Sequence, residues 1–142
     1  MSVYPDASVL VSAYVEETAS GLAERWLDSL GADRLVTSAW CETEIASALA
    51  KKVRMGALTA SDLDHILGAI RARLAAHAKI IPVEQRQFDV AAEFILRSRV
   101  ALRAGDALHL AIAAAAGAEF VTLDRRMAEA GQALGLGTRL LA

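Results

Sequence analysis

Residues 119–124 read Glu-Phe-Val-Thr-Leu-Asp, and this stretch predicts a short strand over 119–123 that ends in Asp124 just before a helix. The start of the chain has the same pattern: residues 2–5 form a predicted strand, Asp6 follows it, and residues 8–15 have helical character. Strands separated by helices favour a parallel sheet covered on both faces. Because such sheets bind ligands beyond the carboxyl ends of their strands, we expect Asp6 and Asp124 to share one functional edge.

The remaining predicted elements alternate in the same way. Apolar residues at helical spacing and capping residues give the following set: a helix from Thr18 to Gly31, a strand over 34–37, a helix from Ser38 to Gly56, a long helix from Thr59, an extended piece over 80–83, helices over 85–98, 106–116 and 125–134, and a strand over 138–141. The long helix has the clearest apolar stripe, formed by Leu63, Ile66, Leu67, Ile70 and Leu74. This stripe packs either against the core or against a helix of a partner protein.

Composition indicates one domain that spans residues 1–142. A net charge of −2 argues against a protein that coats nucleic acid through bulk positive charge. The single cysteine, Cys41, excludes a disulfide framework and fits a reducing, cytoplasmic setting. The start of the chain has no basic signal-peptide region, and the longest apolar run, over 107–118, is far shorter than the ~20 residues of a membrane span.

A third aspartate, Asp106, opens the predicted helix over 106–116. Aspartate is a favoured helix cap, so capping alone explains each of Asp6, Asp106 and Asp124 equally well. Their coincidence at one sheet edge favours a functional site instead. Clustered carboxylates raise one another's pKa, and a bound Mg²⁺ or Mn²⁺, which prefers oxygen ligands, removes that repulsion.

A fourth acid is expected from the helix that starts at Ser38. Glu42 and Glu44 both flank the apolar stripe of this helix, so helical periodicity leaves the choice between them open.

Four stretches of the chain together resemble the motifs of PIN-domain nucleases. The stretch VYPDASVL at 3–10 is similar to their opening strand and first acid, EIASAL at 44–49 to their second motif, AGDALHLA at 104–111 to the third, and FVTLD at 120–124 to the fourth. Their order and spacing, and the chain length, are similar to those of the toxin in VapBC-type toxin–antitoxin pairs. The resemblance selects Glu44 over Glu42. Pro5 departs from the pattern, but proline is tolerated at a strand end.

The resemblance implies a PIN-like three-layer α/β/α sandwich with a central, mainly parallel sheet. It also implies a metal-dependent endoribonuclease, silenced by a cognate antitoxin and commonly dimeric. The site residues that it implies, as catalytic groups and ligands of Mg²⁺ or Mn²⁺, are Asp6, Glu44, Asp106 and Asp124. RNA as the substrate rests on the resemblance, since the residues themselves do not distinguish it from DNA.

Other residues have supporting or structural roles in this interpretation. Ser8 and Thr122 each lie two positions from a proposed acid, close enough to support a carboxylate, and Arg103 and Arg125 are candidate contacts for RNA phosphates. We expect His109 to be a satisfied core or interface residue. Trp26 and Trp40 are expected to serve packing, and Cys41 shows no partner for metal binding or nucleophilic work.

Three other classes of protein compete with this interpretation. A haloacid-dehalogenase phosphatase needs a second acid two positions after Asp6, where this chain has Ser8. A dinucleotide-binding domain needs a Gly-x-Gly-x-x-Gly motif after the first strand, and none is present. A catalytically inactive PIN-like binding module is disfavoured because all four acids are retained.

Overall fold

The structure of the protein is a computed structural model that describes residues 1–17 and 19–142. Its elements run in the order β1 (Val3–Pro5), α1 (Ala7–Tyr14), α2 (Ser20–Asp28), β2 (Val36–Thr37), α3 (Ala39–Arg54), α4 (Ala60–His77), β3 (Lys79–Ile80), α5 (Gln85–Arg97), α6 (Ala104–Ala115), β4 (Glu119–Thr122), α7 (Arg125–Ala133) and β5 (Thr138–Leu140). The predicted cap at Thr18 falls outside the described residues.

The strands form a parallel sheet, as the sequence predicts. In one part β4 lies between β1 and β5, and in the other β2 pairs with β3. A parallel bridge between Val3 and Leu35 joins the two parts, and the Val3 N–H donates to the Arg34 carbonyl at 2.8 Å. The strand order is therefore β3-β2-β1-β4-β5, which places β1 in the middle. Pro5 is the last residue of β1, where its missing N–H costs the ladder little.

Helices cover the sheet and enclose the core of an α/β/α sandwich. Helices α1 to α4 pack on one another, α5 packs on α6, and α6 and α7 contact β4. Every residue of α6 from Ala107 to Ala113 is buried. The core is closed around large buried side chains, including Tyr4 and Phe120 from neighbouring strands. Because α6 is enclosed in this way, the side chains at its first turn are held at a fixed place relative to the sheet.

The start of α6 differs from the prediction and changes the role of Asp106. The helix begins at Ala104 instead of 106, since Arg103 takes the extended backbone of the cap position without a capping side chain. Asp106 therefore lies in the first turn of the helix and not at its cap. The capping explanation, which sequence alone left open, does not apply to this residue.

The long helix α4 confirms its predicted start at Thr59. The Thr59 hydroxyl accepts the Asp62 N–H at 3.0 Å, while the Asp62 carboxylate accepts the Thr59 N–H at 2.9 Å, a reciprocal capping box. Ile70 and Leu74 of its stripe are buried, and Leu63, Ile66 and Leu67 are half-buried against the core. Within the described residues no helix is both long and apolar enough to cross a membrane.

Candidate metal and nuclease site

Asp6 lies where β1 ends and α1 begins. Its N–H donates to the Val121 carbonyl at 2.9 Å, which continues the pairing of β1 with β4 by one residue. Its carboxylate caps α1 by accepting the Val9 N–H at 3.2 Å, and the same Oδ1 accepts the Ser8 hydroxyl. Only 9% of Asp6 is exposed. The predicted capping role is thus real for Asp6, but it uses one oxygen and leaves room for a further ligand.

Thr122 connects the two aspartates that follow β1 and β4. Its hydroxyl donates to Asp6 Oδ2 at 2.6 Å and accepts the Asp124 N–H at 3.0 Å. Asp124 caps α7 through Oδ1, which accepts the Arg126 N–H at 2.9 Å. Parallel strands end at the same edge of a sheet, so this buried hydroxyl ties both acids to that edge. Ser8 and Thr122, predicted as supporting residues, both hydrogen-bond the Asp6 carboxylate.

Glu44 and Asp106 approach the same edge from α3 and α6. The helix starts are held together by Trp40, whose Nε1 donates to the Gly105 carbonyl at 3.1 Å. Gly105 packs so closely that an added Cβ would meet Glu44 Oε1 and the Trp40 ring, each at 3.1 Å. The structure therefore brings Glu44 to the residue that precedes Asp106. Glu42 lies on the same helix but has no such contact in the described residues.

Electrostatic effects link the acids. Burial raises the pKa of Asp6 above its ordinary value of 3.8, and hydrogen bonds from Ser8, Thr122 and Val9 offset only part of that rise. Burial, and then the negative charges of Asp106 and Asp6, raise the pKa of Glu44, against the opposing charge of Arg103. Each ionised carboxylate is thus disfavoured by burial or by its neighbours.

The pKa of Asp106 is also raised, first by burial and then by the charge of Asp124, while Arg103 opposes the rise. An all-oxygen set of carboxylates with this mutual repulsion fits a hard divalent cation, which would relieve it. In residues 1–17 and 19–142, no three acidic, histidine or cysteine side chains already stand close enough to hold a metal ion. Within those residues, the four carboxylates share an edge but are not gathered closely enough to share one ion.

A groove beside the acids carries two arginines. It is lined by Ala101, Leu102, Arg103, Asp106, Asp124, Arg126 and Met127. Arg103 and Arg126 are exposed, and neither forms an ion pair with a described residue. Arg125, predicted as an RNA contact, is not among the lining residues, whereas the adjacent Arg126 is.

A buried hydrogen-bonded cluster lies behind the acids. The Tyr4 hydroxyl is 2.7 Å from Ser38 Oγ and 2.8 Å from His109 Nδ1, so it joins β1, the cap of α3, and α6. Burial lowers the pKa of His109 to about 4, so the imidazole is neutral near pH 7. The expected core role of His109 is confirmed by its burial. Sequence reasoning missed the cluster because Tyr4 lies 34 and 105 residues from its two partners.

Ser38 Oγ also accepts the Cys41 N–H at 3.2 Å, the bond by which it caps α3. A hydroxyl both donates and accepts, so the Tyr4 hydroxyl can bridge Ser38 and His109 with either direction of donation. The cluster thus joins β1, which precedes Asp6, to α3 and α6, which carry Glu44 and Asp106.

Comparisons with known proteins agree with this fold. A sequence profile of the PIN domain family matches residues 3–133 of the chain. A search of the curated proteins gave no match. Among solved structures, the VapC20 toxin of Mycobacterium tuberculosis, described as cleaving the sarcin–ricin loop, superposes with a TM-score of 0.71 at 19% identity, over 92% of this chain and 95% of that one.

Two further solved structures are also similar to this chain. A toxin–antitoxin complex from Klebsiella pneumoniae has a TM-score of 0.71 at 16% identity, over 99% of this chain and 98% of that one. VapBC-1 from nontypeable Haemophilus influenzae has a TM-score of 0.67 at 15% identity, over the same shares of the two chains, 99% and 98%. At these identities the structural likeness establishes the fold alone.

Proposed function

The chain belongs to the PIN domain family, and we propose that it is a metal-dependent endoribonuclease that serves as the toxin of a VapBC-type toxin–antitoxin pair. In this proposal residues 1–142 form one PIN domain. The observation that carries the proposal is the Thr122 bridge, which holds Asp6 and Asp124 at one sheet edge, with Glu44 and Asp106 reaching the same edge from α3 and α6. A fold made only for packing has no need of four mutually repelling carboxylates there.

Asp6, Glu44, Asp106 and Asp124 would hold Mg²⁺ or Mn²⁺. The donor set fits because its oxygens are the ligands that hard cations prefer, and because charge repulsion and burial raise the pKa of three of these acids. A bound cation supplies Lewis-acid chemistry for hydrolysis of a phosphodiester. Asp6 and Asp106 are the strongest candidates for direct ligands.

The chain's own residues prepare the site in two ways. Ser8 and Thr122 fix the Asp6 carboxylate through both oxygens, so Asp6 cannot rotate freely. Asp124 is exposed and faces the groove, where it is placed to orient a water or to meet the substrate. His109 takes no part as a base, because its pKa is too low and it is held by Tyr4.

A cognate antitoxin and a second copy of the chain are the proposed protein partners, and the cytoplasm is the proposed place of action. Support for the antitoxin comes from similar structures that are themselves toxin–antitoxin complexes. Co-expression with the product of the adjacent short reading frame should abolish the toxicity that the chain shows when expressed alone. If the Asp6→Ala variant is still toxic, the toxicity does not depend on this site.

The direct test is cleavage of a panel of RNAs that includes a sarcin–ricin loop hairpin, with DNA of the same sequence beside it. We expect cleavage of RNA in Mg²⁺ or Mn²⁺, none in EDTA, and recovery when the metal is restored. Equal cleavage of the DNA would make the chain a general nuclease. Cleavage that survives EDTA would contradict the metal dependence, and no cleavage of any nucleic acid would favour the inactive binding module.

Two glutamates of α3 provide a matched control for the site. Glu44→Gln and Glu42→Gln remove the same charge from half-buried positions of one helix. Glu44→Gln should lose most of the metal-dependent cleavage, while Glu42→Gln should keep it. The reverse result would show that Glu42 is the fourth acid.

A further inference from the structure

Two depressions flank Asp124, and their charges differ. One is the arginine groove described above, which Arg103 and Arg126 line together with Asp106 and Asp124. The other is lined by Ser8, Ser12, Glu17, Ala19, Leu123 and Asp124. Asp124 belongs to both depressions, which share no other lining residue.

The second depression has no available positive charge among its described lining residues. Lys52 donates to Glu17 Oε2, at the rim of this depression, at 2.8 Å. The other oxygen of Glu17 accepts the Ser12 hydroxyl. The charge of the Lys52 ammonium is thus offset by Glu17, so it attracts a phosphate only weakly.

The arginine groove has the opposite character. Its two guanidinium groups have no acidic partner within ion-pair distance in the described part of the chain. Arg103 lies close enough to the acids to oppose the rise in the pKa of Glu44 and of Asp106. The backbone of Arg126 is held by the Asp124 carboxylate at 2.9 Å, which fixes the start of its side chain beside that acid.

An RNA strand that reaches four carboxylates meets strong repulsion, and the chain's net charge of −2 offers no general attraction. A local pair of cations beside the acids would attract the strand in addition to a bound metal ion, and arginine matches phosphate oxygens in a bidentate manner. A phosphate in the arginine groove would lie next to Asp106 and Asp124, the two acids that line it.

We infer that Arg103 and Arg126 form a seat for one backbone phosphate that flanks the scissile phosphate, on the Asp106 side of Asp124 only. This inference rests on the proposed function, because it assumes a nucleic-acid strand in the site. It assigns the substrate contact to Arg126 in place of Arg125. It also predicts that a charged phosphate is required on one defined side of the scissile phosphate.

The test compares two adjacent arginines that have the same charge and are both exposed. Binding of a labelled single-stranded RNA is measured by fluorescence anisotropy over a range of NaCl, with every protein carrying Asp106→Asn to stop cleavage. Arg126→Ala should weaken binding about tenfold, the scale of one charge-assisted hydrogen bond. It should also reduce the slope of log affinity against log salt by about 0.7. Arg125→Ala should change the affinity less than twofold, although it removes the same charge.

A neutral phosphate analogue tests the location of the seat. A single methylphosphonate is placed at successive positions along the RNA. At one position it should weaken binding by the parent protein, and there Arg126→Ala should cause no additional loss, because both changes remove the same contact. Three results would overturn the seat. Arg125→Ala and Arg126→Ala could weaken binding equally, or the losses from the methylphosphonate and from Arg126→Ala could add at every position. The third is no RNA binding at all.

Failure of the seat and failure of the proposed function give different results. If the wild-type chain cuts RNA but the two arginine variants bind equally, the nuclease stands and the seat is wrong. If binding depends on Arg126 but the wild-type chain cuts nothing in Mg²⁺ or Mn²⁺, the seat stands and the nuclease proposal fails.

Discussion

The rear and the front of the acidic site are built differently. At the rear, Asp6 is buried, both its carboxylate oxygens accept hydrogen bonds, and the Tyr4 hydroxyl lies in a closed cluster with Ser38 and His109. At the front, Asp124 is exposed and faces the groove with Arg103 and Arg126. The polar groups at the rear are hydrogen-bonded within the chain, whereas the arginines at the front have no ion-pair partner among the described residues. Damage to the rear should therefore affect both stability and activity, and damage at the front activity alone.

The largest expected effect comes from the buried acid. Asp6→Asn should lower metal-dependent RNA cleavage by about a hundredfold or more, the scale for loss of one group that stabilises charge in the transition state. Asp124→Asn should cost less, since asparagine retains the cap of α7 and the position is open to water. Initial rates with saturating Mn²⁺ provide the measurement. A greater loss for Asp124→Asn would reverse the assignment of rear and front.

Removal of the Tyr4 hydroxyl tests the rear without touching an acid. Tyr4→Phe leaves the buried Ser38 and His109 without a shared partner, which should cost about 1–3 kcal/mol of unfolding free energy. Tyr14→Phe is the matched control, because the Tyr14 hydroxyl is half-buried and accepts only a 3.5 Å contact from Arg73. Urea unfolding of both variants gives the comparison, and similar losses would mean that the cluster adds little to the fold.

A smaller effect concerns pH in the absence of metal. Because burial raises the pKa of Asp6 in the folded state, the stability linked to this group is fully present below its ordinary pKa of 3.8 and is lost as the pH rises through the folded value. The loss is at most about 1.4 kcal/mol for each unit by which the two pKa values differ. Lowered pKa values at Glu17 and Asp62 act in the opposite direction, so the wild-type curve alone is not diagnostic.

The difference between wild type and Asp6→Asn isolates the Asp6 contribution. In EDTA, the unfolding free energy of the wild type minus that of Asp6→Asn should fall as the pH rises from 4 to 7.5. Parallel curves would show that Asp6 ionises in the folded state as easily as in the unfolded chain.

Local signals in the sequence predicted the elements and three aspartates at the starts of helices. The caps at Ser38 and Thr59 and the alternation of strands with helices are short-range features, and each is confirmed in the structure. Asp6 and Asp124 followed from their place after parallel strands. The start of α6 was placed two residues late, because an aspartate after glycine suggests a cap, whereas here Arg103 adopts the cap conformation.

Features that depend on tertiary packing were beyond the sequence. Helical periodicity does not separate Glu42 from Glu44, and only the resemblance to PIN-domain nucleases selected Glu44. The contact of Glu44 with Gly105 depends on packing against a residue some sixty positions away along the chain. The structure places Arg126, and not Arg125, in the lining of the groove. This difference depends on a rotation of about 100° per residue around α7 and on the packing of residues 101–106 beside the start of that helix. The Tyr4 cluster joins three elements that no local pattern links.

Binding of Mn²⁺, measured by isothermal titration calorimetry, tests most directly whether the four carboxylates form one metal site. The wild-type chain should bind Mn²⁺ with a release of protons that grows as the pH is lowered, since the pKa values of Asp6, Glu44 and Asp106 are raised and a cation favours their ionised forms. Asp106→Asn should weaken binding at least about tenfold, and Glu42→Gln should leave it unchanged. Binding that is equal in all three proteins, or no binding by the wild type, would contradict the metal site.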